Sequence, residues 1–221
     1  MEEIDVTFKA PMSMTVIGPS GVGKTKFVRK FIESIPLGLM NERPTRIYWY
    51  FAHWQADYAE MQTTATNVVF RQGIPDTNEI EEGSLVVLDD LSYEGGALVA
   101  RDMFTKLVHH KRMSVVYIAQ NLFAQSKGSR DVTLNTQYIV LFRNVADKTQ
   151  VMLLARRIFP ENPNYMMDAY TDATRPAYGY LLLDLRSTTA DKDRLRTQIF
   201  PAVAGGIGYI YRPLIKKTKA S

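Results

Sequence analysis

Eight consecutive residues, Gly18-Pro19-Ser20-Gly21-Val22-Gly23-Lys24-Thr25, have the types and spacing of a phosphate cradle. Gly18, Gly23, Lys24 and Thr25 fill every fixed position of the pattern G-x-x-x-x-G-K-[ST]. Glycines let the backbone curl until successive N–H groups point inward at phosphate oxygens. A helix that follows such a loop aims its positive end at the same anion. Lys24 is then placed to reach β- and γ-phosphates, and the Thr25 hydroxyl to ligate Mg²⁺. ATP and Mg²⁺ are the expected cofactors. The apolar run Met14–Ile17 precedes the loop and helical spacing (Phe27, Phe31, Ile35) follows it, the context such a loop requires.

Two further groups complete a hydrolytic site. Leu85-Val86-Val87-Leu88 is a buried-strand pattern that ends in Asp89-Asp90. A carboxylate at the end of a strand beside the P-loop strand holds Mg²⁺ through water, and Asp89 fits that role. Asp90 would face the γ-phosphate and orient or deprotonate the attacking water. Its alternative use is to cap the next segment, with Glu94 as the reserve base. The next buried run, Ser114–Ala119, leads into Gln120-Asn121. An amide at that tip can bond both water and γ-phosphate, so Gln120 reads as a nucleotide sensor; an ordinary strand-end amide is the competing reading.

These groups need a scaffold. Apolar runs at Arg46–Phe51, Asn67–Phe70, Tyr138–Phe142 and Tyr178–Leu185 read as further strands, the last of them final. Helical segments are expected at Lys24–Ser34, Ala97–His110 and Asp147–Ile158. This alternation specifies an α/β fold, a P-loop NTPase with a mostly parallel central sheet flanked by helices. Its length of 221 residues suits one domain, residues 1–200, followed by a basic, flexible tail over 201–221.

Composition narrows the setting. There is no cysteine, which excludes disulfides and thiolate metal sites and suits a reducing compartment. No apolar run approaches the ~20 residues that span a bilayer. The start, Met1-Glu2-Glu3-Ile4-Asp5, is acidic where a signal peptide is basic. An intracellular location and no membrane association are expected. Residues 1–100 carry 8 Lys/Arg against 14 Asp/Glu, whereas residues 101–221 carry 19 against 9. The second half therefore offers a surface for a polyanion, or simply a solvated basic face. His109 and His110 have no companion ligand spacing and suit a helix end. Tyr48, Trp49, Tyr50, Phe51 and Trp54 read as strand and cover before base-stacking groups. Arg156-Arg157 and Lys216, Lys217 and Lys219 are solvated charge or phosphate contacts.

The P-loop, the acidic pair and Gln120 together resemble the FtsK–HerA class of ATPases, of the ASCE type. Tyr117-Ile118-Ala119-Gln120-Asn121-Leu122-Phe123, then Ser129-Arg130, Leu134-Asn135 and Tyr138–Asn144, look like the poxvirus-type genome-packaging ATPases of double-stranded DNA viruses and polinton-like elements. Tyr178–Leu185 and Arg194–Thr197 are similar to the smaller members. The resemblance spans residues 10–200. It implies an ATPase that translocates double-stranded DNA into a capsid as a homo-oligomeric ring, pentamer or hexamer. A capsid or portal-vertex protein is the implied partner and the viral assembly site the implied location. DNA would be gripped through its phosphates, without sequence preference. In such rings an arginine from one subunit enters the neighbour's ATP site. Arg112, just before the sensor strand, and Arg130, after the sensor loop, are the candidates, with a surface role open for either. The rival readings are a cellular or plasmid translocase or helicase of the same class, and a nucleotide kinase or switch protein.

Overall fold

Unbroken apolar runs form the middle of the sheet. In the computed structural model, residues 7–64, 67–91, 96–108, 111–121, 135–200 and 208–213 are described. Strands β1 (Ser13–Ile17), β2 (Ile47–Phe51), β4 (Leu85–Asp89), β5 (Ser114–Ala119) and β6 (Tyr138–Phe142) are buried along their whole length. Strands covered on both faces need no polar alternation. β3 (Val68–Gln72) lies at the edge and is only half-buried. The order is β3-β2-β4-β5-β1-β6-β7-β8-β9, parallel from β3 to β6. Three antiparallel strands complete it: β7 (Tyr180–Asp184), β8 (Leu195–Thr197) and β9 (Tyr209–Tyr211).

Side chains alternate between two cores. Met14, Val16, Trp49, Leu85, Val87, Val116 and Ile118 face one side. There they meet Phe27, Val28 and Phe31 of α1 (Lys24–Ser34) and Tyr58 and Met61 of α2 (Ala56–Thr64). Val86, Leu88, Val115, Ile139, Leu141 and Leu183 face the other. Their cover is α3 (Gly96–Asp102) with the π-helical turn Met103–Leu107, α4 (Thr149–Ile158) and α5 (Pro163–Ala173).

Several boundaries differ from the sequence expectation. The helix read over 97–110 is interrupted: it is α-helical to Asp102 and then widens into the π turn, and its last two residues lie outside the described ones. α4 begins at Thr149 because the Asp147 carboxylate accepts the Thr149 and Gln150 N–H groups (3.0 and 3.4 Å), capping from outside the first turn. Tyr178–Leu185 is not the final strand. β7 starts at Tyr180, after a tight turn, and β8 and β9 follow it. β9 falls inside 201–221, the segment read as tail, and pairs with β8 as the sheet's edge. Helices α2 and α5 have no counterpart in the sequence reading. Acidic strand β4 is also not beside the P-loop strand β1: β5 lies between them.

Candidate active site

That strand order sets the site. β1 and β5 pair in parallel with Ile17 opposite Ala119, and β4 and β5 with Asp89 opposite Ile118. The three strand ends therefore bring the P-loop, Gln120 and the acidic pair to one edge of the sheet, with Gln120 in the middle. Gly18 N–H donates to Ala119 O at 3.3 Å, tying the loop to the sensor strand. Gly21 and Gly23 take left-handed backbone (φ 79° and 100°), which a side chain rarely adopts. A Cβ on Gly18 would lie 2.7 Å from Phe142 Cβ, so the loop can approach β6 only as glycine. α1 starts at Lys24, directing its first N–H groups into the loop.

A cleft of about 310 Å³ opens there, lined among others by Ser20, Lys24, Thr25, Asp89, Asp90 and Gln120. Lys24 Nζ donates to Gly18 O and Pro19 O at 2.7 and 2.9 Å. Burial lowers its pKa, against the opposing charges of Asp89 and Asp90. Thr25 Oγ1 donates to Asp89 Oδ2 at 3.4 Å. The same oxygen accepts from the Tyr58 hydroxyl at 2.8 Å. Burial pushes the Asp89 carboxyl up to about 6; the Tyr58 hydrogen bond and the Lys24 charge oppose that, while Asp90 adds to it. Asp90 has φ 54°, a turn that aspartate tolerates better than most residues. It brings Asp90 Oδ1 to 3.3 Å from Gln120 Nε2, which donates to it.

Thr25 and Asp89 fit a bound Mg²⁺. A hydroxyl and a buried carboxylate converge, and the carboxylate's charge is held at a cost that a cation would offset. Mg²⁺ takes one or two protein oxygens and completes its shell from phosphates and water.

Tyr58 is a contact to Asp89 that the sequence reading did not contain. It is fully buried, and its hydroxyl fixes the direction of Asp89. The signal was present in β4: alternation from Leu85 through Val87 places Asp89 on the α1–α2 face, where a polar partner was needed. Phe51, Trp54, Tyr58 and Phe70 pack as one aromatic cluster, with ring centroids 5.3 to 5.8 Å apart. Tyr48, Trp49, Tyr50 and Phe51 are buried, and only Trp54 of the aromatics singled out is exposed.

Arg112 does not join this cleft. It precedes β5, at the far end from Gln120, and six residues of strand separate them by about 20 Å. It is exposed, has φ 49° and donates to Glu42 Oε2 at 3.0 Å. Arg156 and Arg157 end α4 on its exposed side. Glu94, His109, His110, Leu122, Phe123, Arg130, Lys216, Lys217 and Lys219 lie outside the described residues. Among the described residues no helix is long and apolar enough to cross a membrane.

No protein-family model and no curated protein matches this chain. Solved structures do. The genome packaging NTPase B204 from Sulfolobus turreted icosahedral virus 2, in complex with ATP-gammaS, superimposes with TM-score 0.53 at 11% identity, covering 92% of this chain and 98% of that one. EssC (ATPases 2 and 3) from Geobacillus thermodenitrificans gives TM-score 0.41 at 11% identity, over 58% of this chain and 31% of that one. A KaiC-like protein from Pyrococcus horikoshii OT3 gives 0.40 at 11%, over 62% and 76%. At these identities the likeness to B204 is one of fold, and it extends over nearly the whole of both chains. The chain has the fold of a P-loop NTPase, with the P-loop, Asp89, Asp90 and Gln120 gathered at one edge of its sheet.

Proposed function

We propose that this chain hydrolyses ATP to drive double-stranded DNA into a viral capsid, working as one subunit of a ring. The observation that carries the reading is the assembly of Lys24, Thr25, Asp89, Asp90 and Gln120 around one P-loop cleft. Lys24 and the loop N–H groups bind the triphosphate. Thr25 and Asp89 hold Mg²⁺, which when bound neutralises charge on the phosphate oxygens. Asp90 accepts a proton from the attacking water, and Gln120, bonded to it, links that carboxylate to the state of the γ-phosphate. The residual position, a cation over the γ-phosphate, is filled from the neighbouring subunit by Arg112 or Arg130. Arg112's distance from its own cleft suits a role in trans. The viral part of the reading rests on the Gln120–Phe123 segment and on the full-length likeness in fold to a packaging NTPase. The DNA part rests on the basic second half of the chain. A shell or portal protein is the partner expected to seat the ring.

The test is the ATPase rate with and without double-stranded DNA. DNA should raise the rate severalfold, less so as salt is increased, and Lys24→Ala should abolish it. A rate indifferent to DNA at low salt would sink the motor reading and leave a nucleotide switch.

A further inference from the structure

A second groove, of about 780 Å³, adjoins the phosphate cleft on the other side of the P-loop. The stretch after β6 and the turn before β7 bound it, and it shares Gly21 and Tyr178 with the phosphate cleft. The two are thus continuous across the loop. Their chemistry differs: Lys24, Asp89, Asp90 and Gln120 line the first, whereas Val22, Val145, Pro176 and Tyr178 give the second a mainly apolar lining, with Arg143 and Arg175 also bordering it. A phosphate-binding end joined to a mainly apolar end is the shape of a nucleoside triphosphate site.

Tyr178 stands at the junction and is poorly explained by folding alone. Its side is open to solvent, with the residue 64% exposed. It nevertheless occupies left-handed backbone (φ 60°), a conformation costly for a bulky residue. The turn that imposes this is closed by Gly179 N–H donating to Pro176 O at 3.0 Å. Gly179 is irreplaceable there, since a Cβ would lie 2.4 Å from Ala173 O. The result is a ring set against Gly23 of the P-loop, where a Cβ would come within 2.9 Å of Tyr178 Cδ1. Lys26 Nζ stands 5.8 Å from the ring centroid. A strained turn that holds an exposed aromatic beside a phosphate cradle has the features of a functional constraint.

We propose that this groove takes the nucleoside, with Tyr178 as the platform on which the purine base stacks. The inference rests on the reading of the P-loop as a nucleoside triphosphate site. It assigns base recognition to the turn before β7, leaving the P-loop and the acidic pair to the phosphates.

Calorimetric titration of the full chain with ATP and with inorganic tripolyphosphate separates the two halves of the ligand. Wild type should bind ATP more tightly than tripolyphosphate. Tyr178→Ala should weaken ATP about tenfold or more, the size of one base–aromatic stack, and leave tripolyphosphate affinity unchanged. Tyr178→Phe should keep wild-type affinity for both. Equal weakening toward both ligands would show that the ring only shapes the loop, and would overturn the proposal. So would a Tyr178→Ala variant that binds ATP like wild type, or a wild type that binds both ligands equally. A wild type that binds neither would overturn the P-loop reading and this proposal with it.

Discussion

Replacing Asp89 with asparagine should make the protein more stable when Mg²⁺ and nucleotide are removed, and inactive. Asp89 is 2% exposed and its carboxyl is pushed from 3.8 to about 6, chiefly by burial. Holding the ionised form in the folded state therefore costs about 3 kcal/mol. The asparagine carbonyl oxygen retains the hydrogen bond from the Tyr58 hydroxyl, 2.8 Å in the wild type. Its amide N–H groups replace an acceptor that interacts with the Lys24 charge, which costs about 1 kcal/mol. The balance is about 2 kcal/mol in favour of Asp89→Asn, or roughly 4 to 8 °C in Tm for a chain of this size. The pH dependence has a definite sign. A carboxyl whose folded pKa is raised contributes stability that is fully present below 3.8 and lost as pH rises through about 6. The advantage of asparagine should thus be complete at pH 8, reduced at pH 5 and gone by pH 4. Thermal unfolding of both proteins in chelator at these three pH values measures it. A Tm difference that does not change with pH, or a less stable Asp89→Asn at pH 8, would refute the claim that Asp89 is a buried charge awaiting a cation.

Three other substitutions probe different links. Asp184 is fully buried between Arg186 and Arg196 (2.6 and 3.0 Å), and Arg196 is itself only 3% exposed, so Asp184→Ala should cost about 3 to 5 kcal/mol and lower Tm by roughly 10 °C. Gly23→Ala meets both a φ of 100° and the Tyr178 ring, and should weaken nucleotide binding at least tenfold in the same titration while the protein stays folded by circular dichroism. Arg112→Ala subunits mixed with wild type should depress DNA-stimulated hydrolysis more than dilution does; a strictly proportional fall would return Arg112 to a surface role paired with Glu42.

The parts of the site that were legible in the sequence are those encoded locally. The P-loop is one contiguous segment whose glycines, lysine and threonine each have a fixed job, and β4, β5 and β6 are continuous apolar runs that only doubly covered strands display. Lateral strand order is not local. Nothing in Leu85–Asp89 or Ser114–Ala119 says which lies next to β1, and the expectation that β4 did was wrong. The observed order places Gln120 between loop and carboxylate instead of beyond them. α2 was missed because Ala56–Thr64 has no apolar stripe, Tyr58 and Met61 being its only large buried side chains among those described. With it went the hydroxyl that holds Asp89. β9 was missed for the opposite reason: three residues with exposed and half-buried side chains carry no burial pattern, and only pairing with β8 defines them.

The central claim is that ATP turnover at this cleft moves the protein along double-stranded DNA. The measurement that tests it most directly is displacement of a third strand from a short triplex by the intact chain, followed in time at low salt. Release should require ATP, fail with a non-hydrolysable analogue and fail with Lys24→Ala, and its rate should track hydrolysis. Brisk DNA-stimulated hydrolysis with the third strand left in place would contradict translocation.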